Sequence, residues 1–272
     1  MNYPLDIDGV IQYLIHNYRQ RIEPVVLDRV VIGQHLTAIQ FNDGTSGVAG
    51  TLHAAQPGPC KVEDRYFGPF SPGNFVNHCL LDLLESNQSG DSIQSVKMAA
   101  INAFSSTLLN ESAYEIRYDY DPIQSIVPNT PLKVCMVGAF QSYIKRLETA
   151  GHMLKVVELE PSTLFPQQQH LFVPYAKAEA ALKDSEVIII TGLTLVNGTF
   201  SELIKHVSQG QQVILVGPSA AYPPKLLFDA GVTLIGSLRV LNPKLMIEMV
   251  EQGGSGYHLY HGAAQKIGIL NG

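Results

Sequence analysis

The fold of this chain is decided by five short apolar runs: KVCMV (133–137), LKVVELE (154–160), EVIIITG (186–192), QQVILVGP (211–218) and VTLIG (232–236). Each run is continuous rather than alternating in hydropathy, which is typical of strands buried on both faces. The segments between them are long enough for crossover helices, and repeated strand–helix–strand units pair in parallel with right-handed crossovers. The pattern predicts an α/β fold with a Rossmann-like, mostly parallel, five-stranded sheet.

The first part of the chain has a different pattern. Helical periodicity at 7–19 precedes three strand candidates, which are separated by turn signals of the kind that join antiparallel strands. The candidates lie at 24–32, 35–41 and 46–52, and helices are predicted at 74–85 and 92–110. The proline-rich stretch 118–131 has no clear period and is interpreted as a linker. We therefore expect a smaller α+β domain at 1–122 and the Rossmann-like domain at 123–272.

Composition excludes some classes of function. The chain has 272 residues, is 46% hydrophobic and 15% charged, and carries a formal net charge of −6, which disfavours a nucleic-acid partner. It contains no apolar run long enough to span a membrane, and its first residues do not resemble a signal peptide. We expect a cytoplasmic protein, and the sequence leaves its oligomeric state open, with a homodimer as one possibility.

Polar and glycine residues follow the strands at the edge where parallel α/β sheets bind ligands. Gly138 ends the first run, but the dinucleotide fingerprint GxGxxG is absent, because Phe140 stands where backbone must approach a pyrophosphate. Glu158 ends the second run and is equally compatible with a ribose partner and with a solvated strand end. With Glu160, on the same face, it could also offer two carboxylates to a cation.

The third and fourth runs end in further candidates. Thr191 and Thr194 are predicted to reach the crevice, whereas Asn197 is equally compatible with a helix cap. After the fourth run, Gly217 and Pro218 predict a rigid turn that directs Ser219 to the same rim. The glycine cluster at 252–256 is interpreted as a helix C-cap, with folding back over the site as the alternative.

These segments together resemble a known family. VGAF (137–140), TGLTLVNGT (191–199), VGPS (216–219), GVAGTLH (47–53) and MAAINAF (98–104) are similar to the family described as heavy-metal-chelation proteins. The resemblance implies an enolase-N-terminal-like α+β domain before the Rossmann-like domain, with a candidate site in the cleft between them. It brings no established activity. The cleft residues that it implies are Gly138, Phe140, Glu158, Thr191, Thr194, Asn197, Gly217, Pro218, Ser219 and, from the first domain, Asn102.

The metal ligands are harder to assign from sequence. Heavy metals favour thiolate and imidazole ligands, but the three cysteines, Cys60, Cys79 and Cys135, are widely spaced and are interpreted as structural. His258 and His261 would share a face if the tail is helical, and His53 could reach the cleft from the third strand. The cleft residues offer oxygen donors, which suit a hard divalent cation or an anionic organic ligand better.

Two hypotheses follow. The first is a binding protein whose cleft holds a metal ion, a metal complex or a small molecule, with a divalent metal ion as the candidate cofactor. The alternative is an enzyme, a transferase or lyase, that uses a nucleotide or S-adenosylmethionine in the Rossmann-like crevice. Hydrolase, zinc-protease and P-loop signatures are absent from the sequence, so no catalytic residue is assigned.

Overall fold

A computed structural model describes residues 3–53, 68–109, 114–126 and 130–271. The fold is α/β, with a mostly parallel eight-stranded sheet and a separate three-stranded antiparallel sheet. The predicted fold class is therefore confirmed, although the large sheet has eight strands rather than five. In the described ranges, no helix combines the length and apolarity that a membrane span requires.

The small sheet is the predicted meander. The first part contains α1 (Ile7–Ile22), β1 (Leu27–Ile32), β2 (Leu36–Phe41), β3 (Ser46–Gly50), α2 (Leu80–Glu85) and α3 (Asp91–Leu108). The strands pair antiparallel in the order β1-β2-β3. Helix α1 begins after Asp6, whose carboxylate accepts a hydrogen bond from the Gly9 amide at 2.8 Å.

The helix predicted at 74–85 is wrong over its first half, because α2 begins only at Leu80. Asn77 has a φ of 68°, which a helix cannot accommodate. The backbone before α2 instead pairs with the start of β1: the Asn77 amide donates to the Leu27 carbonyl at 2.8 Å, and the Leu27 amide donates to the His78 carbonyl at 2.9 Å. Tertiary pairing has therefore replaced the first turns of the predicted helix.

The large sheet has the strand order β4-β11-β10-β9-β8-β5-β6-β7. Its strands are β4 (Glu115–Tyr118), β5 (Lys133–Val137), β6 (Met153–Glu158), β7 (Phe172–Pro174), β8 (Val187–Thr191), β9 (Gln212–Val216), β10 (Leu234–Val240) and β11 (Ala264–Leu270). The five predicted strands are β5, β6, β8, β9 and β10, and they pair in parallel. Its helices are α4 (Gln141–Thr149), α5 (Ala178–Lys183), α6 (Leu193–Val196), α7 (Phe200–Leu203), α8 (Pro224–Asp229), α9 (Pro243–Glu251) and α10 (Gly256–Leu259).

The three strands missed by the sequence pattern lie outside the parallel centre. β11 pairs antiparallel with both β10 and β4, and β7 is a three-residue edge strand that ends in a proline. β4 is four residues long and largely exposed, so it lacks the continuous apolar pattern of a central strand. β4 lies just before the predicted domain boundary at 122/123, and that boundary stays a prediction.

Both faces of the parallel centre are buried. In β5, Val134 and Met136 pack with α4 on one face, while Cys135 and Val137 join a core that continues into α1 and α3 on the other. A third cluster joins β2 to α9. The small sheet is therefore fixed against the large one by apolar packing.

Close packing of β3 on α3 depends on Gly47. A Cβ atom at this position would lie 2.4 Å from the Ala103 backbone nitrogen and 2.6 Å from the Ala99 carbonyl oxygen. Backbone atoms of a buried helix cannot move aside individually, so a side chain here would push α3 away from the sheet.

Gly47→Ala is expected to lower the free energy of unfolding by about 1–3 kcal/mol, because of this overpacking. Gly50→Ala, on the same strand, is the matched control. Its Cβ would meet mainly the Leu193 Cδ1 atom, at the end of a flexible side chain that can move. Urea unfolding of the two variants tests the comparison, and equal losses would contradict it.

Candidate functional site

The carboxyl ends of β5, β8 and β9 meet at one edge of the large sheet. The strand order reverses between β5 and β8, since the chain proceeds outward from β5 to β6 and β7 and then returns to β8. Ligands of open α/β sheets bind at such a reversal. A cavity of about 310 Å³, here named the switch-point cavity, lies at this place and is lined by Gly138, Phe140, Glu158, Thr191, Thr194 and Asn197.

The side chains of Glu158, Thr191, Thr194 and Asn197 all have hydrogen-bond partners within the protein. The Ala139 amide donates to Glu158 Oε1 at 2.8 Å, so this carboxylate holds the loop after β5. The Thr194 hydroxyl donates to the Thr191 carbonyl at 2.7 Å, and Asn197 Oδ1 accepts from the Thr199 amide at 3.1 Å. These polar groups shape the rim of the switch-point cavity, which leaves fewer of them to bind a ligand.

The turn after β9 joins the two sheets. Gly217 has a φ of 130°, which strongly favours glycine, and its amide donates to the Gly236 carbonyl at 3.0 Å. Ser219 is 3% exposed, and its hydroxyl accepts a hydrogen bond from the Gly50 amide of β3 at 2.8 Å. Gly217, Pro218 and Ser219 therefore form a fixed wall between the sheets.

A second cavity, the histidine cavity, has a volume of about 300 Å³ and lies between the β2–β3 edge and this turn. Its lining includes His35, His53 and Phe140. The His53 Nε2 atom lies 2.6 Å from the Gln34 carbonyl oxygen. A carbonyl oxygen only accepts, so Nε2 carries a hydrogen, and in the neutral imidazole Nδ1 is then the acceptor nitrogen.

A third and larger space, the aromatic cavity, has a volume of about 750 Å³. It lies beyond the carboxyl ends of β5 and β9 and beside the middle of β10. Five aromatic side chains line it: Tyr120, Phe140, Tyr143, Tyr257 and Tyr260. The aromatic and histidine cavities share the lining residues His35, Leu36, Phe140, Gly217 and Pro218.

The polar groups of the aromatic cavity centre on Asp121. Its carboxylate accepts a hydrogen bond from the Tyr143 hydroxyl and another from Lys266 Nζ at 3.1 Å. The Lys266 Nζ atom also lies 5.3 Å from the Tyr260 ring centroid. The pKa of Tyr143 lies far above its ordinary value. Burial is the largest cause, and the hydrogen bond to Asp121 and the charge of Asp121 raise the pKa further. Burial and Asp121 raise the pKa of Tyr260 to about 12. Both phenols are therefore neutral at physiological pH.

Ser237 is a further polar residue of this cavity. It lies on β10, is 4% exposed, and its hydroxyl has no hydrogen-bond partner among the described residues. Ser255 and Gly256 line the same space. A Cβ at Gly256 would lie 2.8 Å from Pro218 Cγ, so the start of α10 packs closely on the turn after β9. The glycine cluster at 252–256 thus runs back to the cavity.

The structure does not bring every predicted site residue together. Asn102 lines a fourth cavity, on the other side of the turn after β9. His258 lies in α10, where its Nδ1 accepts a hydrogen bond from the Ser255 amide at 3.0 Å, and His261 follows that helix, with its ring centroid 5.1 Å from that of Tyr257. Neither histidine lines the four cavities described here.

Soft-metal ligands are sparse in the part of the chain that the structure describes. Within 3–53, 68–109, 114–126 and 130–271, no three His, Cys, Asp or Glu side chains are grouped closely enough to hold a metal ion. Cys135 is buried in β5, and burial raises the pKa of its thiol to about 12. The Cys79 thiol donates to the Glu23 carbonyl at 3.1 Å. Cys60 lies outside the described residues.

Comparison with known families agrees with this architecture. Residues 121–268, more than half of the chain, match the model of the DUF364 family, described as "Putative heavy-metal chelation". The chain belongs to the DUF364 family. Residues 15–105 match the DUF4213 model, which has the same description. The resemblance inferred from the sequence is therefore confirmed, while its enolase-like assignment of the first part stays a prediction.

Individual relatives place the DUF364 chain among proteins without an assigned activity. An uncharacterized protein of Methanocaldococcus jannaschii is 25% identical over 198 residues, which cover 70% of this chain and 71% of that protein. Crystal structures of DUF364 proteins of unknown function from Pyrococcus horikoshii and Desulfitobacterium hafniense have TM-scores of 0.73 and 0.70, at 17% and 20% identity. Each alignment covers 96% of this chain and 100% of the other. These likenesses show the fold.

Sequence reasoning missed His35 and four tyrosines of the aromatic cavity. The hairpin register could have identified His35. Antiparallel pairing places its carbonyl oxygen 3.1 Å from the Thr51 amide, and Thr51 lies two residues before His53. No comparable local signal exists for Tyr120, Tyr143, Tyr257 and Tyr260. They converge from the segment after β4, from α4 and from the region of α10.

Glu158→Ala is expected to lower the free energy of unfolding by about 1–2 kcal/mol, because the Ala139 amide loses a charged acceptor. Glu158→Gln keeps an oxygen at this position and should lose less than half as much. Glu160→Ala, at an exposed neighbouring position, is the control. Urea unfolding measures all three, and a Glu158→Ala loss no larger than that of Glu160→Ala would show that the carboxylate does not hold the loop.

Tyr260 should make folding stability depend on pH in alkaline solution. Its pKa is about 12 in the folded chain against an ordinary 10.0, so above pH 10 the unfolded chain releases the phenolic proton first. Its contribution is complete below pH 10 and is lost as the pH rises toward 12. Urea unfolding across this range should fall less steeply for Tyr260→Phe than for the wild type, and parallel curves would refute this assignment.

Proposed function

We propose that the aromatic and histidine cavities together bind a transition-metal complex of a small, planar organic chelator. The observation that carries this proposal is the contact between the two cavities: a space walled by five aromatic rings adjoins one that contains two histidines. His35 and Phe140 line both. A single ligand could therefore place its organic part among the rings and its metal beside the imidazoles.

The aromatic walls support an organic ligand rather than a bare ion. Aromatic rings offer large, rigid apolar surfaces that favour stacking with flat molecules. The raised pKa values of Tyr143 and Tyr260 keep both side chains uncharged, so neither supplies a phenolate to a metal at physiological pH. The unpaired Ser237 hydroxyl and Lys266 provide polar contacts for a heteroatom or an anionic group on the chelator.

The orientation of His53 supports metal contact. Histidines that ligate metals usually donate their other ring N–H to a carbonyl or carboxylate, which fixes the tautomer. The His53 Nε2–H has this arrangement with the Gln34 carbonyl and leaves Nδ1 as the donor atom. His35 offers a second imidazole in the same cavity.

The small number of protein donors favours a complex over a free ion. Transition metals take four to six ligands, and the described residues contain no group of three suitable side chains. A chelator that already holds the metal supplies the missing ligands and leaves positions for imidazole. This mode of binding accords with the family description, which names chelation.

The enzyme alternative would use the switch-point cavity for a nucleotide or S-adenosylmethionine. The Glu158 carboxylate that would bind ribose already accepts the Ala139 amide, and Phe140 lies at the position where a pyrophosphate would need bare backbone. No observation favours this alternative over chelate binding, and it stays a prediction from sequence.

The test is calorimetric titration with Ni²⁺, with 1,10-phenanthroline and with their equimolar complex. We expect the complex to bind at least about tenfold more tightly than either component, because it makes both the stacking and the imidazole contacts. His53→Ala should weaken binding of the complex about tenfold or more. His170→Ala removes an exposed histidine outside the four cavities and should leave binding unchanged.

Two results would contradict the proposal. One is wild-type protein that binds free Ni²⁺ as tightly as the complex, which would indicate a site that needs no chelator. The other is equal affinity of His53→Ala and His170→Ala for the complex, which would exclude the histidine cavity. Near-ultraviolet circular dichroism of each variant checks that the fold is intact.

A further inference from the structure

The two edges of the large sheet are not equally protected. At one end, β7 is three residues long and ends in Pro174, which has no amide hydrogen to offer to a further strand. At the other end, β4 pairs with β11 through one edge, and no strand among the described residues pairs with its outer edge. The outer edge of β4 therefore has backbone groups that a further strand could bind.

The side chains of β4 are exposed and carry charges of both signs. The side chains of Glu115 and Arg117 are 54% and 44% exposed, and Arg117 Nε donates to Glu115 Oε1 at 2.7 Å. Tyr118 is 49% exposed, although its ring centroid lies 5.6 Å from the Arg239 guanidinium. Charged residues on an edge strand usually keep other strands away. The arrangement of the charges therefore decides whether this edge repels or accepts another strand.

The order of residues around β4 is complementary to itself. The stretch reads Tyr114-Glu115-Ile116-Arg117-Tyr118, with opposite charges on the two sides of its centre and an aromatic residue at each end. If a second copy pairs antiparallel about a two-fold axis at Ile116, each Glu115 faces Arg117 of the other copy. The same register places each Tyr114 opposite Tyr118 of the other copy. Facing opposite charges and facing aromatic rings both stabilise antiparallel pairs.

Other registers of the same pairing are less favourable. Side chains directly opposite each other in an antiparallel sheet point to the same face, so a two-fold axis perpendicular to the sheet must lie between two copies of the same residue. An axis at Glu115 or Arg117 would bring two like charges face to face. An axis at Tyr118 would need Asp119 to continue the strand, but Asp119 has a φ of 52°, outside the extended range. Within β4, Ile116 is therefore the centre that avoids both conflicts.

We propose that the outer edge of β4 is the interface of a homodimer, in which two copies pair antiparallel about Ile116 and join their large sheets into one. The two-fold symmetry closes the assembly, because each copy uses the same edge in the contact. The paired stretch is short, so we expect a weak dimer with a dissociation constant in the micromolar range. The dimer does not depend on the ligand proposed for the aromatic and histidine cavities.

Sedimentation equilibrium of the full chain at several concentrations tests this interface. We expect the wild type to dimerise and Arg117→Glu to raise the dissociation constant at least about tenfold, because four acidic side chains would then meet. Exchange of the two charges, in Glu115→Arg/Arg117→Glu, restores opposite charges across the axis and should return the constant to within about threefold of the wild type. Arg29→Glu, on the edge strand β1 of the small sheet, is the control that should leave the constant unchanged. Arg29 also pairs with one carboxylate, that of Glu251, at 2.8 Å.

Disulfide formation tests the register. Ile116→Cys places two thiols opposite each other, where the Cα separation of paired antiparallel residues, about 4.5–5.5 Å, permits a disulfide. We expect oxidised glutathione to cross-link this variant into a dimer. Tyr118→Cys, whose thiol would face Tyr114 of the other copy, should cross-link no more than the wild type, which keeps the native cysteines.

Near-ultraviolet circular dichroism checks that each variant is folded before its association is compared. The proposal is overturned if the wild type remains monomeric up to about 1 mM. It is also overturned if Arg117→Glu and Arg29→Glu dimerise equally, or if the exchanged variant dimerises no better than Arg117→Glu alone. Equal cross-linking of Ile116→Cys and Tyr118→Cys would overturn the pairing about Ile116.

Discussion

The hydrogen bond from the Gly50 amide to the buried Ser219 hydroxyl connects the two sheets at the place where the cavities meet. It is effective because the turn that carries Ser219 is rigid: Gly217 adopts a φ of 130°, and the ring of Pro218 fixes its own φ. The same turn is packed from two further directions. A Cβ at Gly192 would lie 2.8 Å from the Ala220 nitrogen, and one at Gly256 would lie 2.8 Å from Pro218 Cγ. Small residues around this turn therefore determine how closely it packs against β3, the start of α6 and the start of α10.

The turn after β9 borders three of the cavities. Pro218 lines the histidine and aromatic cavities and also the cavity that contains Asn102, so a single side chain borders all three spaces. On the aromatic side, Asp121 is compensated by Lys266 and by the Tyr143 hydroxyl. On the other side of the turn, the described lining of the cavity that contains Asn102 includes Arg21 and Arg239.

The parallel centre of the sheet could be predicted from sequence because burial on both faces leaves continuous apolar runs, as in β5 and β8. The peripheral strands could not, since β4 and β7 are short and lack that pattern. Asn102 shows a different limit. Every residue of α3 from Ser95 to Ser105 is buried, so helical periodicity does not reveal which face meets which cavity. Strand-end residues such as Gly138 and Thr191 could be placed because topology alone brings them to one edge.

The chemistry of soft metals limits what this architecture can bind directly. Thiolates give such ions their strongest protein ligands, yet Cys135 is a buried neutral thiol in the sheet, and Cys79 donates its hydrogen to a backbone carbonyl. The oxygen atoms at the strand ends are largely engaged within the protein, as Glu158 and Asn197 show. Among the described residues, imidazole from His53 and His35 then remains as the donor set near the cavities, and two ligands of this kind leave most of a metal's coordination positions unfilled. Aromatic rings beside an incomplete set of metal ligands favour binding of a metal complex through the shape of its organic part. The rings contribute binding free energy that the missing protein ligands do not supply.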